Sequence, residues 1–333
     1  MPPAVCAGGI LIRWRQPFLA HSPRMSVRLT VHFSGIPAAH LAAVSGLTPV
    51  AGPTGDSATD ACALFGLSGP DLPLAAITYT HDFGAPPPAW CARLDPVCLM
   101  PSGATLRLLD LAHAPLTDAD ARQLFERVSA AGVIPAVQWR QGAPHRWYAL
   151  CAEAPDVHTC PPDTLPGGQI ADCQPTGSDA TRWQNWLNEL QMLLFDAAPN
   201  LAREALDLPP ANGLWLWGGG AVPTLQQTTF DAVWTDQPLI GGLARLASRP
   251  PRAVPEPGTD WLASLPAGHH LLGLGAREAA PDRAVHWLDM LQAGLDSKRL
   301  DTVELHAGGA RFGLSRRGLL ARLRRSLRRP APR

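Results

Sequence analysis

The sequence predicts a layered α/β fold, a mixed sheet with flanking helices, and two observations predict it. Segments of period-2 or short buried apolar pattern alternate along most of the chain with segments of helical period. A Trp-rich run, Asn212-Gly-Leu-Trp-Leu-Trp-Gly-Gly-Gly220, reads as a buried strand closed by three glycines. The 333 residues, 46% of them apolar, suffice for one large or two ordinary domains. No stretch is long and apolar enough to span a bilayer.

Taken in order, residues 27–33 place Val27, Leu29, Val31 and Phe33 on one face, a strand pattern. Residues 47–60, rich in Gly, Pro, Thr and Asp, read as loop, and residues 74–79 as a short buried strand. Residues 94–100 and 105–111 form a hairpin around Pro101-Ser-Gly103. Thr117 caps a helix reaching about Ala131, with Ala121, Leu124, Phe125 and Val128 on one face and Gly132 as its stop. Residues 133–139 and 146–151 are strands joined through Gly142 and Pro144. Ser178 or Asp179 caps a long helix to about Ala197, with Trp183, Trp186, Leu187, Leu190, Leu193 and Leu194 as its apolar stripe. Pro199 ends it, and a short helix covers residues 200–206. Strands follow at 213–217, 230–234, 269–274 and 302–305, with helices at 281–295 and about 318–329. No repeat of fixed period is present.

The formal net charge is zero, but nine arginines and no acidic residue follow Glu304. The remainder carries 19 basic against 28 acidic side chains. The terminal Arg-rich helix therefore fits an acidic protein partner better than nucleic acid, because aromatics for base stacking are missing apart from Phe312. Lys298 is the only lysine beside 35 prolines and 30 glycines, a genomic composition bias. Seven cysteines without a secretory signal point to reduced thiols in the cytoplasm. Residues 1–24 are expected to be a disordered extension or a mis-assigned start before Met25. Residues 25–248 make the α/β core, residues 249–258 a Pro-rich linker, and residues 259–333 a C-terminal α/β segment that completes the core.

The most informative block is 183–220. Asn188 and Gln191 share a helix face away from the tryptophan stripe, and Arg203 and Glu204 are placed to pair with a ligand or with each other. A glycine loop at a strand end leaves backbone N–H groups open to a charged ligand. Taken alone, packing of a helix on a Trp-rich strand accounts for the block, since a lone glycine loop is weak evidence.

The run Pro199-Asn200…Arg203-Glu204…Pro210-Ala-Asn212-Gly-Leu-Trp-Leu-Trp-Gly-x-Gly220 resembles a segment of archaeal-type cofactor-independent phosphoglycerate mutases. With Asp95-Pro96-Val97, Arg146-Trp147-Tyr148 and Asn188-Glu189-x-Gln191-Met192, the pattern is similar to the RpfE-type regulatory proteins of proteobacteria. The resemblance implies an alkaline-phosphatase-like core in which two metal ions and a serine or threonine nucleophile carry a phosphoryl group. That chemistry needs carboxylates and histidines gathered around two divalent ions. Here Val31-His32-Phe33-Ser34-Gly35 lacks the aspartates of the mutases' first metal loop. Ser34 is the residual nucleophile candidate, and Glu278 and Asp282 are the residual carboxylates, without the expected histidines. Cys98 and Met100 replace a histidine and an arginine of the RpfE-type pattern.

The resemblance thus implies a phosphoglycerate-mutase-like protein that has lost metal-dependent phosphoryl transfer and acts as a regulatory or metabolite-binding protein. Its ligand site would comprise Asn188, Gln191, Asn200, Arg203, Glu204, Asn212, Trp217 and Gly218-Gly219-Gly220, taking a small phosphorylated or carboxylated metabolite without a cofactor. The alternatives are an active 2,3-bisphosphoglycerate-independent mutase, an isomerase using Mn or Mg, or a related phosphatase, and an interaction module built on the Arg-rich helix. Two further sets of residues have ligand or nucleophile chemistry. Cys151, His158, Cys160 and Cys173 have zinc-ligand chemistry at the wrong spacing. Ser34 and Ser57 lack a Gly-x-Ser-x-Gly elbow.

Overall fold

Strand β1 (Val27–Phe33) lies at the centre of the first sheet. β8 (Gly268–Leu274) and β9 (Thr302–Ala307) flank it in parallel, with Val31 opposite both Leu272 and Leu305. β7 (Ala232–Thr235) runs parallel to β8, and β10 (Ala310–Leu314) closes the other side antiparallel to β9. The structure is a computed structural model describing residues 26–50, 56–103, 105–109, 111–165, 168–225, 227–257, 260–277 and 280–316. The expected extension at 1–24 and the Arg-rich helix at about 318–329 lie outside these residues.

Both faces of this sheet are covered, as parallel strands require. On one face Leu29, Val31 and Phe33 pack against Leu41 of α1 (Ala38–Ser45), Trp261 of α8 (Trp261–Ser264) and Trp287 of α9 (Pro281–Asp296). On the other, Val233 and Leu271 meet Cys62 of α2 (Ser57–Ala63), Ile77 of α3 (Leu74–Phe83) and Leu243 of α7 (Pro238–Leu246). α3 and α7 touch backbone to backbone, because a Cβ at Gly242 would collide with the Ile77 carbonyl.

The second sheet is antiparallel. β2 (Trp90–Ser102) pairs with β3 (Thr105–Leu109), with β5 (Arg146–Cys151) and with β6 (Gly213–Gly220), and β4 (Gln138–Ala143) pairs with β5. α3 covers one face through Ala75, Ala76 and Tyr79, so it is shared by both sheets. α4 (Asp118–Ala130) and α5 (Ala180–Phe195) cover the other, burying Leu124, Val128, Trp183 and Leu190. Thr117 caps α4 by accepting the Asp120 N–H, as its sequence predicts.

Several expectations change. Residues 74–79 are helix rather than strand. Leu74 to Thr80 are all buried, so no polar stripe marks the helical period. Gly84, at φ 74°, caps α3 with its N–H on the Thr80 carbonyl. The loop expected over 47–60 gives way at Ser57 to α2, where Asp56 accepts the Thr59 N–H at 2.6 Å. The strand expected over 133–139 begins only at Gln138. Pro199 sits in the first turn of α6 (Ala198–Glu204), a position that needs no N–H donor. The stretch after Arg249 runs alongside β7, with Arg252 N–H on the Val233 carbonyl at 2.9 Å.

Candidate functional site

Ligands of open parallel sheets sit beyond the carboxyl ends of the strands. Here those ends are built tightly. After β1 the chain turns through Ser34 and Gly35, whose φ is 79°, and Ser34 N–H donates to the Leu274 carbonyl at 2.9 Å. After β7, Asp236 accepts the Gly275 N–H at 2.6 Å, binding the β7 and β8 ends together. Gln237 then turns inward, its Nε2 donating to the carbonyls of His32 at 3.0 Å and Leu274 at 2.7 Å. A cavity of about 280 Å³ lies above, lined by Ser34, Ser57, Asp163, Asp236, Gln237 and Gly275. Ser57 Oγ reaches Ser34 Oγ at 3.4 Å.

A chain of polar side chains, running from buried His32 to half-exposed Glu304, lies behind the two serines. His32 is 1% exposed. Its Nε2 contacts the Ser57 carbonyl at 3.1 Å, and Gln237 Nε2 lies 3.3 Å from its Nδ1. One ring nitrogen meets an acceptor and the other a donor, the pattern of a neutral imidazole. Burial, followed by the nearby His306, holds the His32 pKa below its ordinary value against the opposing pull of Asp60. Asp60 Oδ2 is 3.7 Å from His32 Nε2, and Asp60 Oδ1 is 3.0 Å from His306 Nδ1. His306 Nε2 in turn faces Glu304 Oε1 at 3.0 Å. Asp163 has its pKa raised by burial and then by Asp56. The cavity wall therefore offers two hydroxyls and the carboxyl groups of Asp163 and Asp236, with an imidazole behind them whose charged form burial disfavours. Among the described residues no group of three His, Cys, Asp or Glu gathers as a metal-ligand set.

Ser34 is the expected candidate that the structure places here. Asp282 lies in the exposed first turn of α9, away from the cavity lining, and Glu278 lies outside the described residues. The rest of the expected ligand set is divided. Asn188 and Gln191 line a separate cavity beside β6. Asn200 is wholly buried. Its Nδ2 donates to the carbonyls of Leu194 and Ala211, and its Oδ1 accepts the Ala211 N–H. Arg203 donates to the carbonyls of Pro209, Pro115 and Ala114, pinning α6 to the turn before α4. Glu204 is exposed. Asn212 bonds both backbone groups of Leu99, aligning β6 on β2.

Trp217 belongs to a buried ion pair. Its Nε1 donates to Asp95 Oδ2 at 2.8 Å, Arg93 stacks 4.8 Å from its ring, and Arg93 donates to both Asp95 oxygens. Asp82 holds the next strand: Arg146 donates to both its oxygens, and Tyr148 Oη donates at 2.7 Å. The three glycines serve close approach. A Cβ at Gly219 would meet the Trp90 ring, one at Gly220 would meet Pro73, and Gly218 adopts φ 63° against Leu74 and Ala75.

The zinc-type set does not assemble either. Cys160 and Cys173 form a disulfide, which corrects the expectation of reduced thiols throughout. Mutual backbone bonds between His158 and Thr176 bring the two arms together, leaving the cysteine Cα atoms 5.9 Å apart. His158 pairs instead with Asp71 and Asp156, and Cys151 stands on β5 with its pKa raised to about 11 by burial. His32, Asp60, Gln237 and His306 went unrecognised in the sequence because their partners are remote in it.

No protein-family model matches the chain. It is 27% identical over 198 residues to a 2,3-bisphosphoglycerate-independent phosphoglycerate mutase of Methanothrix thermoacetophila, a match covering 55% of this chain and 50% of that protein. It is 26% identical over 154 residues to a probable enzyme of the same name from Geobacter sulfurreducens, covering 46% and 38%. The match spans half or less of each relative. A solved cofactor-independent phosphoglycerate mutase from Thermoplasma acidophilum aligns with a TM-score of 0.43 at 16% identity, over 88% of this chain and 90% of that one. A Pyrococcus horikoshii protein aligns with a TM-score of 0.42 at 15% identity, over 86% and 87%. The chain is similar, at low identity, to cofactor-independent phosphoglycerate mutases. No helix among the described residues is long and apolar enough to cross a membrane.

Proposed function

We propose that this chain is a phosphoglycerate-mutase-like protein on an alkaline-phosphatase-like core that binds a metabolite in a regulatory role, of the RpfE type, instead of performing metal-dependent phosphoryl transfer. The observation that carries the reading is how the ionisable groups behind Ser34 and Ser57 are engaged. Asp60 contacts both histidines, His306 lies between Asp60 and Glu304, and Gln237 faces the remaining nitrogen of His32. Side chains that would converge on two divalent ions in a phosphoryl-transfer site are joined here in a line. The cavity above them would take a small polar ligand through the two hydroxyls and the Asp163 carboxyl, whose pKa burial raises.

The similarity to the two mutases supports a second reading, an active isomerase in which Asp163 and Asp236 would help to hold Mn²⁺ or Mg²⁺. Interconversion of 3- and 2-phosphoglycerate decides between them, measured on the full chain with and without Mn²⁺. The binding reading expects no turnover under either condition. Manganese-dependent turnover that Ser57→Ala or Ser34→Ala abolishes would overturn it.

A further inference from the structure

Among the described residues, strand β6 pairs with β2 along one edge and with no strand along the other. Asn212 accepts the Leu99 N–H and donates to the Leu99 carbonyl, so Leu99 points its backbone groups to the β6 side of β2. Backbone groups alternate along a strand, so Val97, Asp95 and Arg93 point the same way, opposite Gly213, Trp215 and Trp217. Pro96, which has no N–H, lies opposite Leu214. Leu214 and Leu216 therefore turn their N–H and C=O groups away from β2. Among the described residues neither has a hydrogen-bond partner there, although both residues are buried. Buried backbone groups are paired in all but a few per cent of cases, roughly 5–10% at most.

A cavity of about 230 Å³ opens along that edge, with Leu214, Trp215 and Leu216 in its wall. Facing them are four carboxamides: Gln184, Asn188 and Gln191 at i, i+4 and i+7 of α5, and Gln174, the residue after the disulfide-closed loop. Gln174 donates to the Ile170 carbonyl; the other three make no hydrogen bond among the described residues. No ionisable side chain lines the cavity, since Cys173 is held in the disulfide.

We propose that this cavity takes a short, uncharged, extended peptide segment that adds a strand to β6. The donor–acceptor pairs of Leu214 and Leu216 recur at the two-residue strand spacing of about 6.8 Å, which a second extended backbone matches. The carboxamides of α5 then serve the peptide's outer edge, and the apolar wall takes its side chains. An anionic metabolite finds no cation here to repay its desolvation. The space is below the roughly 300–1,000 Å³ of drug-sized sites, which suits a short stretch of chain. This inference stands apart from the serine-lined cavity and does not depend on its chemistry.

The test uses the full chain with N-acetyl-trialanine amide, its analogue in which the central amide is an ester, and 3-phosphoglycerate. Amide hydrogen exchange is read at single residues of β6. Without ligand, Leu214 and Leu216 exchange faster than Trp215 and Trp217. The blocked peptide slows Leu214 and Leu216 selectively, and the ester binds roughly tenfold more weakly, the loss of one hydrogen bond. Asn188→Leu and Gln191→Leu weaken the peptide further at unchanged melting temperature. Equal protection by peptide and ester, protection by 3-phosphoglycerate instead, or no alternation in the unliganded strand would overturn the proposal.

Discussion

Gln237 reaches across from the turn after β7 to put its Nε2 3.3 Å from His32 Nδ1, while His32 Nε2 contacts the Ser57 carbonyl. A protonated ring would set a second N–H against the Gln237 amide NH2, whereas the neutral ring donates only from Nε2 to the Ser57 carbonyl. His32 thus has a folded pKa below its ordinary 6.5, chiefly through burial. The unfolded chain binds the proton more readily. The stabilisation is therefore complete above about pH 6.5 and is lost as the pH falls toward the folded value. His81 and His269 are lowered by burial too, so the difference between chains is the useful quantity. The melting temperature of the native chain is expected to fall more steeply between pH 7 and 5 than that of His32→Gln. Parallel curves would refute the assignment.

Asp82 anchors the second sheet to α3. Burial pushes its pKa up, but the hydrogen bonds from Arg146 and Tyr148 outweigh it, and the carboxyl ends below its ordinary value. Removing one partner of a buried pair typically costs about 3–5 kcal/mol, because the other charge is left unpaired. Asp82→Ala is expected to destabilise by about that amount at pH 7 in urea unfolding, and the deficit should narrow as the pH falls through the folded Asp82 value. A cost below about 1 kcal/mol, typical of an exposed pair, would contradict the buried geometry.

Elements whose polar and apolar residues alternate at a clear period were legible in the sequence, and a helix that is apolar all round was not. The Thr117-capped stripe of α4 leaves a solvent face that marks its period, and β1 keeps its alternation because Thr30 and His32, though buried, are polar between apolar neighbours. α3 has no such marker, and its apolar run reads equally as a strand. The site was less legible still. His32 and Gln237 are 205 residues apart, and Asp60 and His306 are 246 apart. Only the parallel pairing of β1 with β8 and β9 brings such groups together. The motif at 199–220 was visible, but its polar residues proved to hold backbone: Asn200 satisfies α5 and the start of β6, and Arg203 ties three carbonyls.

Arg203 and Gly219 separate a structural motif from a ligand loop. Arg203→Ala leaves the carbonyls of Ala114, Pro115 and Pro209 without their donor and is expected to cost about 3 kcal/mol. Gly219→Ala drives a methyl into the Trp90 ring and is expected to cost about 1–3 kcal/mol by overpacking. Both should lower the denaturation midpoint while leaving the thermal shift produced by any metabolite unchanged in size. Loss of that shift at unchanged stability would restore the loop as a binding element.

The disulfide between Cys160 and Cys173 closes a loop of sequence separation 13 that walls the cavity beside β6. A loop of that length restricts the unfolded chain by about 3 kcal/mol on the chain-entropy account. The native fold also holds the loop independently of the sulfurs: Trp215 Nε1 donates to the Cys160 carbonyl at 2.9 Å, and Ile170 N–H donates to the Leu106 carbonyl. Reduction is therefore expected to lower the melting temperature without unfolding the chain at room temperature. Cys160→Ser should reproduce the reduced value and be insensitive to dithiothreitol. Peptide mapping without reductant should recover Cys160 linked to Cys173, with Cys62, Cys91 and Cys98 as thiols. If the oxidised chain and Cys160→Ser melt together, the cross-link contributes nothing and the loop is held by its backbone bonds alone.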